Sequence, residues 1–267
     1  MKSDSKIVAK EVDLILQELV GSVATPQARA LEQKFALALS QYFRRLARKF
    51  PYEKLNSTAA RYETKESIGS DAKSIARKAT EPISVDLIFV LDDFNTRSYK
   101  LGAEQAVKVA KIHPTFNLVD DGAVKWIKSH GAEMVTNINA TTTKRLAGVL
   151  EDGFRRGMSP QNLAKSIREN IAGWSDIKLG SAKRGRALMI ARTELNDSMS
   201  QASLDTYKRL GLDGKRWLAT SDCCDICSDN ESDGIIPIDD LFSGGVGRPP
   251  QHPNCECSLS PARLKGG

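Results

Sequence analysis

Asp222-Cys223-Cys224-Asp225-Ile226-Cys227 and His252-Pro253-Asn254-Cys255-Glu256-Cys257 hold all five cysteines of the 267-residue chain. Cys224 and Cys227 form a C-x-x-C pair, which brings two thiolates within reach of one ion. After the intervening residues 228–251, His252-x-x-Cys255-x-Cys257 offers a second cluster. Zinc takes four nitrogen or sulfur ligands in a tetrahedron, usually as two short-spaced pairs from separate turns. The pattern therefore predicts a structural Zn2+ site drawn from Cys224, Cys227, His252, Cys255 and Cys257. Four protein ligands leave no open position for a reacting water. If 255–259 is extended, Cys255 and Cys257 point to one side and His252 only braces the ion. If 252–255 is a tight turn, His252 joins one of the cysteines. Cys223 is expected to point away and to be dispensable.

Other uses of the cysteines fit less well. Both runs are polar and turn-rich, which argues against thiols acting as buried small hydrophobes. The count is odd and no signal peptide in the sequence points to an oxidising compartment, which argues against a disulfide framework. A thioredoxin-like C-x-x-C needs a preceding strand and a following helix. Here Asp229, Ser232, Asp233 and Gly234 follow, which reads as a loop.

Arg192-Thr193-Glu194, Trp217, Cys224-x-x-Cys227, Gly234 and His252-Pro253-Asn254-Cys255-x-Cys257, closing at Pro261, resemble the signature of the phage Mu F-type minor head proteins. That group is also called the phage head morphogenesis family, and the resemblance spans roughly residues 120–261. It implies a minor head component of a tailed bacteriophage, associated with the portal protein and other head proteins. Such a component acts in head morphogenesis and in packaging or delivery of phage DNA. It resides in the virion after assembly from the host cytoplasm. Glu256 departs from the pattern, because a basic residue is usual there. The chain runs six residues past Pro261, so no appended C-terminal enzyme domain is expected.

Hydrophobic residues make up 40% of the chain and aromatics 6%, enough for a largely aliphatic core. Net charge is +6. Residues 1–80 contain 15 Lys/Arg against 9 Asp/Glu, a difference of +6, so the remainder is neutral. Arg44, Arg45, Arg48 and Lys49 concentrate this charge at the end of a helix. Cations there complement the helix dipole, and four in six positions also suit non-specific contact with DNA phosphates. No apolar run is long enough to span a membrane, and the charged start lacks a secretory apolar segment.

Apolar periodicity predicts a mainly α-helical protein with a small α+β, zinc-stapled C-terminal region. Three regions follow: basic helical 1–80, central helical 81–175, and the Cys/His region 176–267. A helix is expected over 5–20, broken at Gly21-Ser22. Thr25-Pro26 reads as an N-cap and first-position proline opening a second helix, which ends before Pro51. Residues 52–80 read as a surface helix or connector. Residues 83–91 look strand-like by β-branching, with a buried helix as the alternative. Asp92-Asp93 reads as a helix cap. Helices are expected over 94–112, from Ala123 to about Met134, over 140–156, from Ser159-Pro160 to Gly173, and over 181–210. The last carries Arg192, Glu194 and Asn196, read as a buried hydrogen-bond network that docks the helix. Short strands are expected at 215–219 and 235–238.

No phosphate-binding glycine loop, dinucleotide fingerprint, nucleophile elbow or H-E-x-x-H occurs, and the chain has three histidines. A non-enzymatic role is the expectation. The alternatives are a zinc-dependent phage nuclease, which needs catalytic histidines beside its zinc pairs, and a zinc-ribbon DNA-binding protein.

Overall fold

The computed structural model describes residues 25–58, 65–177 and 185–264, so the helix expected over 5–20 lies outside the described residues. Helices α1 (Pro26–Lys49), α2 (Glu53–Thr58) and α3 (Lys65–Thr80) lead through a 3-10 turn (Glu81–Ile83) into α4 (Ser84–Ala110). Then come α5 (Asp121–Arg155), α6 (Pro160–Trp174), α7 (Arg186–Arg209), β1 (Gly214–Leu218), α8 (Asp225–Ser232), β2 (Ile235–Pro237) and β3 (Ser258–Ala262). The protein is mainly helical with a small antiparallel sheet near its C-terminal end, ordered β2-β1-β3. No helix among the described residues is long and apolar enough to cross a membrane.

The expected helix starts are present. Thr25 Oγ1 accepts from the Ala28 amide at 3.2 Å, and Ser159 Oγ accepts from the Asn162 amide at 3.2 Å. Each satisfies a donor that the first helical turn leaves unpaired.

Four expectations require correction. Residues 83–91 continue into helix α4: Ile83, Leu87 and Leu91 are buried at helical spacing, while Val85 and Phe89 are 59% and 71% exposed. A strand would have buried alternate residues, so tertiary packing overrides β-branching here. Asp92 and Asp93 therefore lie within a helix, and Asp93 pairs with Arg97 four residues on at 2.9 Å. Residues 65–80 supply core: α3 buries Ile68, Ala72, Ile75, Ala76 and Ala79. The alanines make that face apolar without large side chains. Finally, 121–155 is one helix. Near its midpoint, Asn139 accepts from Tyr42 Oη at 3.0 Å and donates to Ser84 Oγ at 2.9 Å. These bonds remove the reason for a polar break.

The chain divides into two compact units, Met1–Lys34 with Asp93–Ile127 and Met189–Gly267, and Phe35–Asp92 with Lys128–Leu188. In the first, α7 buries Leu195, Met199 and Ala202. A Cβ on Gly102 of α4 would lie 2.5 Å from the Met199 carbonyl oxygen, so only glycine permits that approach. From the end of α7 onward, Tyr207, Leu212, Trp217, Phe242 and Leu259 form a core with Cys227, Cys255 and Cys257. In the second unit, Phe43 packs edge-on against Trp174 at 6.0 Å, and Arg186 lies over both rings. Ser40 Oγ donates to the Ser175 carbonyl at 2.7 Å.

Candidate metal centre

β1 brings the chain to the site, and α8 begins there. Cys224 is the N-cap residue of α8, with extended backbone (φ −80°, ψ 167°), and Cys227 lies in its first turn. A helix thus follows the C-x-x-C, contrary to the loop expected from its polar sequence. The local objection to a redox pair therefore lapses, and the surroundings must decide.

His252 and Cys255 close a tight turn, the Cys255 amide donating to the His252 carbonyl at 3.1 Å, with Asn254 at φ 63°. Cys257 then leads directly into β3, which pairs with β1 (Trp217 opposite Leu259). The turn and the extended run considered separately in the sequence are consecutive, so all three residues reach the site.

His252 Nε2 lies 3.3 Å from Cys224 Sγ and 3.5 Å from Cys227 Sγ, and Cys227 Sγ lies 3.8 Å from Cys255 Sγ. Cys224, Cys227 and His252 form one compact triad of donors, and Cys227, Cys255 and Cys257 form another. Cys227 is common to both. A tetrahedron with metal–sulfur bonds of about 2.3 Å has sulfur–sulfur edges of about 3.8 Å and sulfur–nitrogen edges of about 3.5 Å. These three spacings match such edges, and the donors fall into two triads that share Cys227, not into one set of four. Cys223 belongs to neither triad, and all five cysteines are free thiols.

Two further features fit a cation. His252 Nδ1 lies 2.9 Å from the Pro253 carbonyl. A carbonyl only accepts, so Nδ1 carries the proton and the Nε2 lone pair faces the sulfurs, the tautomer a metal needs. Trp217 Nε1 is buried without an acceptor among the described residues and sits beside Cys257, where a thiolate would accept from it. The thiols themselves are split. The Cys227 amide, with His252 behind it, holds Cys224 below the usual thiol range, and a hydrogen bond from Cys257 does the same for Cys255. Burial pushes Cys227 up, and the neighbouring Cys255 pushes Cys257 up. Four thiolates cannot coexist here without positive charge among them; a divalent cation supplies it. The cluster can hold a metal.

The supporting shell comes from α7 and α1. Asn196 Nδ2 donates to the carbonyls of Cys255 (2.7 Å) and Cys257 (3.1 Å), and its Oδ1 accepts from Ser200 at 3.0 Å. Arg192 grips Glu32 of α1 with two nitrogens at 2.9 and 3.2 Å. Its Nη1 faces Glu256 Oε1 at 2.5 Å as an ion pair without hydrogen-bond alignment. Glu256 also meets Arg29 at 3.2 Å. Burial works against the Arg192 charge, but the carboxylates of Glu32 and Glu256 outweigh it and raise its pKa. Glu194 is also buried. Thr193 Oγ1 accepts from the Asn254 amide at 3.1 Å, tying α7 to the turn.

Asn230 and Gln251 were not singled out in the sequence. Asn230 is fully buried in α8, donates to Gln251 Oε1 at 3.0 Å and accepts from the Gly244 amide at 2.7 Å. Gln251 returns a bond to the Gly244 carbonyl at 3.1 Å. A Cβ on Gly244 would lie 2.5 Å from Gln251 Oε1. This closure fixes the 244–251 loop that delivers His252. An asparagine in a short polar helix gives no sequence signal that it is buried.

Residues 144–260 match the family model described as Phage Mu protein F like protein. This stretch is phage Mu F-like. The family expectation is borne out, over a shorter span than the sequence resemblance suggested. The F-like stretch includes α7, the whole Cys/His cluster and the start of β3. No curated protein and no solved structure matches the chain.

Arg44, Arg45, Arg48 and Lys49 lie at the C-terminal end of α1, in the other compact unit from the Cys/His cluster. Arg45 pairs with Asp86 at 3.3 Å. Arg44 and Arg48 line an open groove together with Arg168. Lys49 is exposed.

Proposed function

We propose that the protein is a minor head component of a tailed bacteriophage. In this reading it associates with the portal protein and other head proteins and acts in head morphogenesis and in DNA packaging or delivery. The observation that carries this is the phage Mu F-like stretch at 144–260, which takes in the complete Cys/His cluster and the helix that braces it. The role is structural, not catalytic. The metal is Zn2+, chosen by a soft, thiolate-rich donor set whose sulfur–sulfur and sulfur–nitrogen spacings at Cys227, Cys224, His252 and Cys255 are those of zinc ligands. It fastens α8 and the turn before β3 into one body. The protein assembles from the host cytoplasm and resides in the virion.

Quantitative mass spectrometry of purified procapsids and virions tests this, together with affinity purification of portal protein. A few copies per head and recovery with the portal are expected. Detection only in the lysate, absent from both particles, would sink the proposal. Metal-dependent cleavage of DNA by the purified protein would move it to the nuclease alternative.

A further inference from the structure

We infer that the second compact unit carries a groove for the phosphodiester backbone of nucleic acid, formed by Arg44, Arg48 and Arg168. The inference deepens the proposed contact with phage DNA, and depends on that proposal only for which polyanion is met.

Charge is the first argument. The second unit, Phe35–Asp92 with Lys128–Leu188, contains 21 Lys/Arg and 12 Asp/Glu, a net +9, against 18 and 21, or −3, in the first. Residues 1–34 contribute nothing, with 5 of each sign. The basic character therefore comes from two sequence-distant segments that share one compact unit, and the acidic excess lies with the Cys/His cluster. A field of this sign suits a polyanion.

Placement is the second. Arg44 and Arg48 stand four residues apart on one face of α1, a like-charge spacing that is mildly unfavourable unless something answers it. Among the described residues neither has an acidic partner, whereas Arg45 is answered by Asp86. Across the groove, Arg168 of α6 is held over the Tyr52 ring at 4.6 Å, which fixes its guanidinium. The groove holds about 640 Å³ over a floor of Ala47, Ile171 and Gly173, and among the described residues Asp176 is the one carboxylate lining it. Neither Arg44 nor Arg168 lies in the last turn of its helix, so complementing the dipole does not account for them. An apolar floor rimmed by three guanidiniums accepts sugar against the floor and phosphates at the rim. Arginine suits the second task by its planar fork.

The test is fluorescence anisotropy of the full chain with labelled mixed-sequence duplex DNA across a salt series. Each phosphate contact contributes about 0.9 to the log–log salt slope. The R44Q/R48Q/R168Q variant should therefore bind with a slope shallower by about 2.7. R45Q/K49Q should keep most of the slope, and R168K should restore what R168Q loses. If the triple variant does not fold, the R44Q and R48Q single variants carry the test, each losing about 0.9. A triple variant with unchanged slope, or an equal loss from R45Q/K49Q, overturns the inference. Displacement by inorganic phosphate beyond a chloride control of equal ionic strength also overturns it, in favour of a discrete phosphate pocket. None of these results bears on the head-protein proposal, which is read in particles and not in DNA affinity.

Discussion

The side-chain amide of Asn196 donates to the Cys255 carbonyl at 2.7 Å, and the same nitrogen reaches the Cys257 carbonyl at 3.1 Å. One α7 side chain thus holds the backbone of the cysteine pair from behind. Asn196→Ala would leave both buried carbonyls without this donor. Each such loss costs about 1–3 kcal/mol, so a destabilisation of about 2–6 kcal/mol is expected, with weaker metal retention. Asn196→Asp should be worse, because a carboxylate would face two carbonyls. Chemical denaturation measures the first effect and a metal-competition titration the second. An alanine variant within a few tenths of a kcal/mol of the parent would contradict the role.

Arg192 is the charge counterpart of that brace. Glu32 is 1% exposed, so Arg192→Ala strands its carboxylate in the interior, at a cost of about 3–5 kcal/mol. The paired substitution Glu32→Leu with Arg192→Met should recover most of the loss, since removing both charges leaves nothing unpaired. Glu256→Gln, at a more exposed site, should be mild. Glu256→Arg should lie between, because it sets a third guanidinium beside Arg29 and Arg192. Ranking the four variants by urea midpoint checks the order.

What the sequence revealed and what it hid follow from range. Thr25, Ser159 and the C-x-x-C act within one turn, so their roles are legible from neighbours. The contacts of Arg192 with Glu32 and of Asn196 with Cys255 join residues far apart in the chain. Sequence shows polar groups in mid-helix there but not their partners. The 83–91 run misled because β-branching is a local preference, whereas burial of Ile83, Leu87 and Leu91 is set by packing. The concentration of charge in residues 1–80 was correct as a count. Its meaning depended on Arg168 and the rest of 128–188, which only the fold places in the same unit.

Lys215 provides a pH test. Its ammonium is buried, donates to the Gly247 carbonyl at 2.8 Å and lies 5.4 Å from the Phe242 ring centre. Burial first, then Lys208, push its pKa down to about 8, against the pull of Asp239 and Asp240. Below that value both folded and unfolded chains carry the proton, and the folded state bears the full penalty of a buried charge. Between about 8 and the ordinary lysine value near 10.4, the unfolded chain binds the proton that the folded chain has released, so stability rises with pH. The gain is on the order of 3 kcal/mol across the window. Other groups titrate there, so the quantity to measure is the parent's stability minus that of Lys215→Met. That difference should rise from pH 8 to 10, and a flat difference would refute the assignment.

The metal site yields the sharpest prediction, because Cys227 belongs to both donor triads. Cys227→Ser breaks both and should abolish stoichiometric zinc. Cys224→Ser and Cys255→Ser each break one and should weaken retention. Cys223→Ser removes a thiol outside either triad and should keep one zinc per chain. Structural zinc in small peptides contributes on the order of 10–16 kcal/mol of apparent binding energy. The sheet around the site consists of strands of 5, 3 and 5 residues, too short to hold α8 and the 252–257 turn without further support. A chelator should therefore raise amide exchange through β1, α8 and β3, while the α3 and α6 amides, in the other compact unit, stay protected. Elemental analysis of protein purified under reducing conditions reads the stoichiometry, and exchange mass spectrometry reads the unfolding. Metal-free protein with β1, α8 and β3 fully protected would show that hydrogen bonds such as those of Asn196 hold the region without an ion.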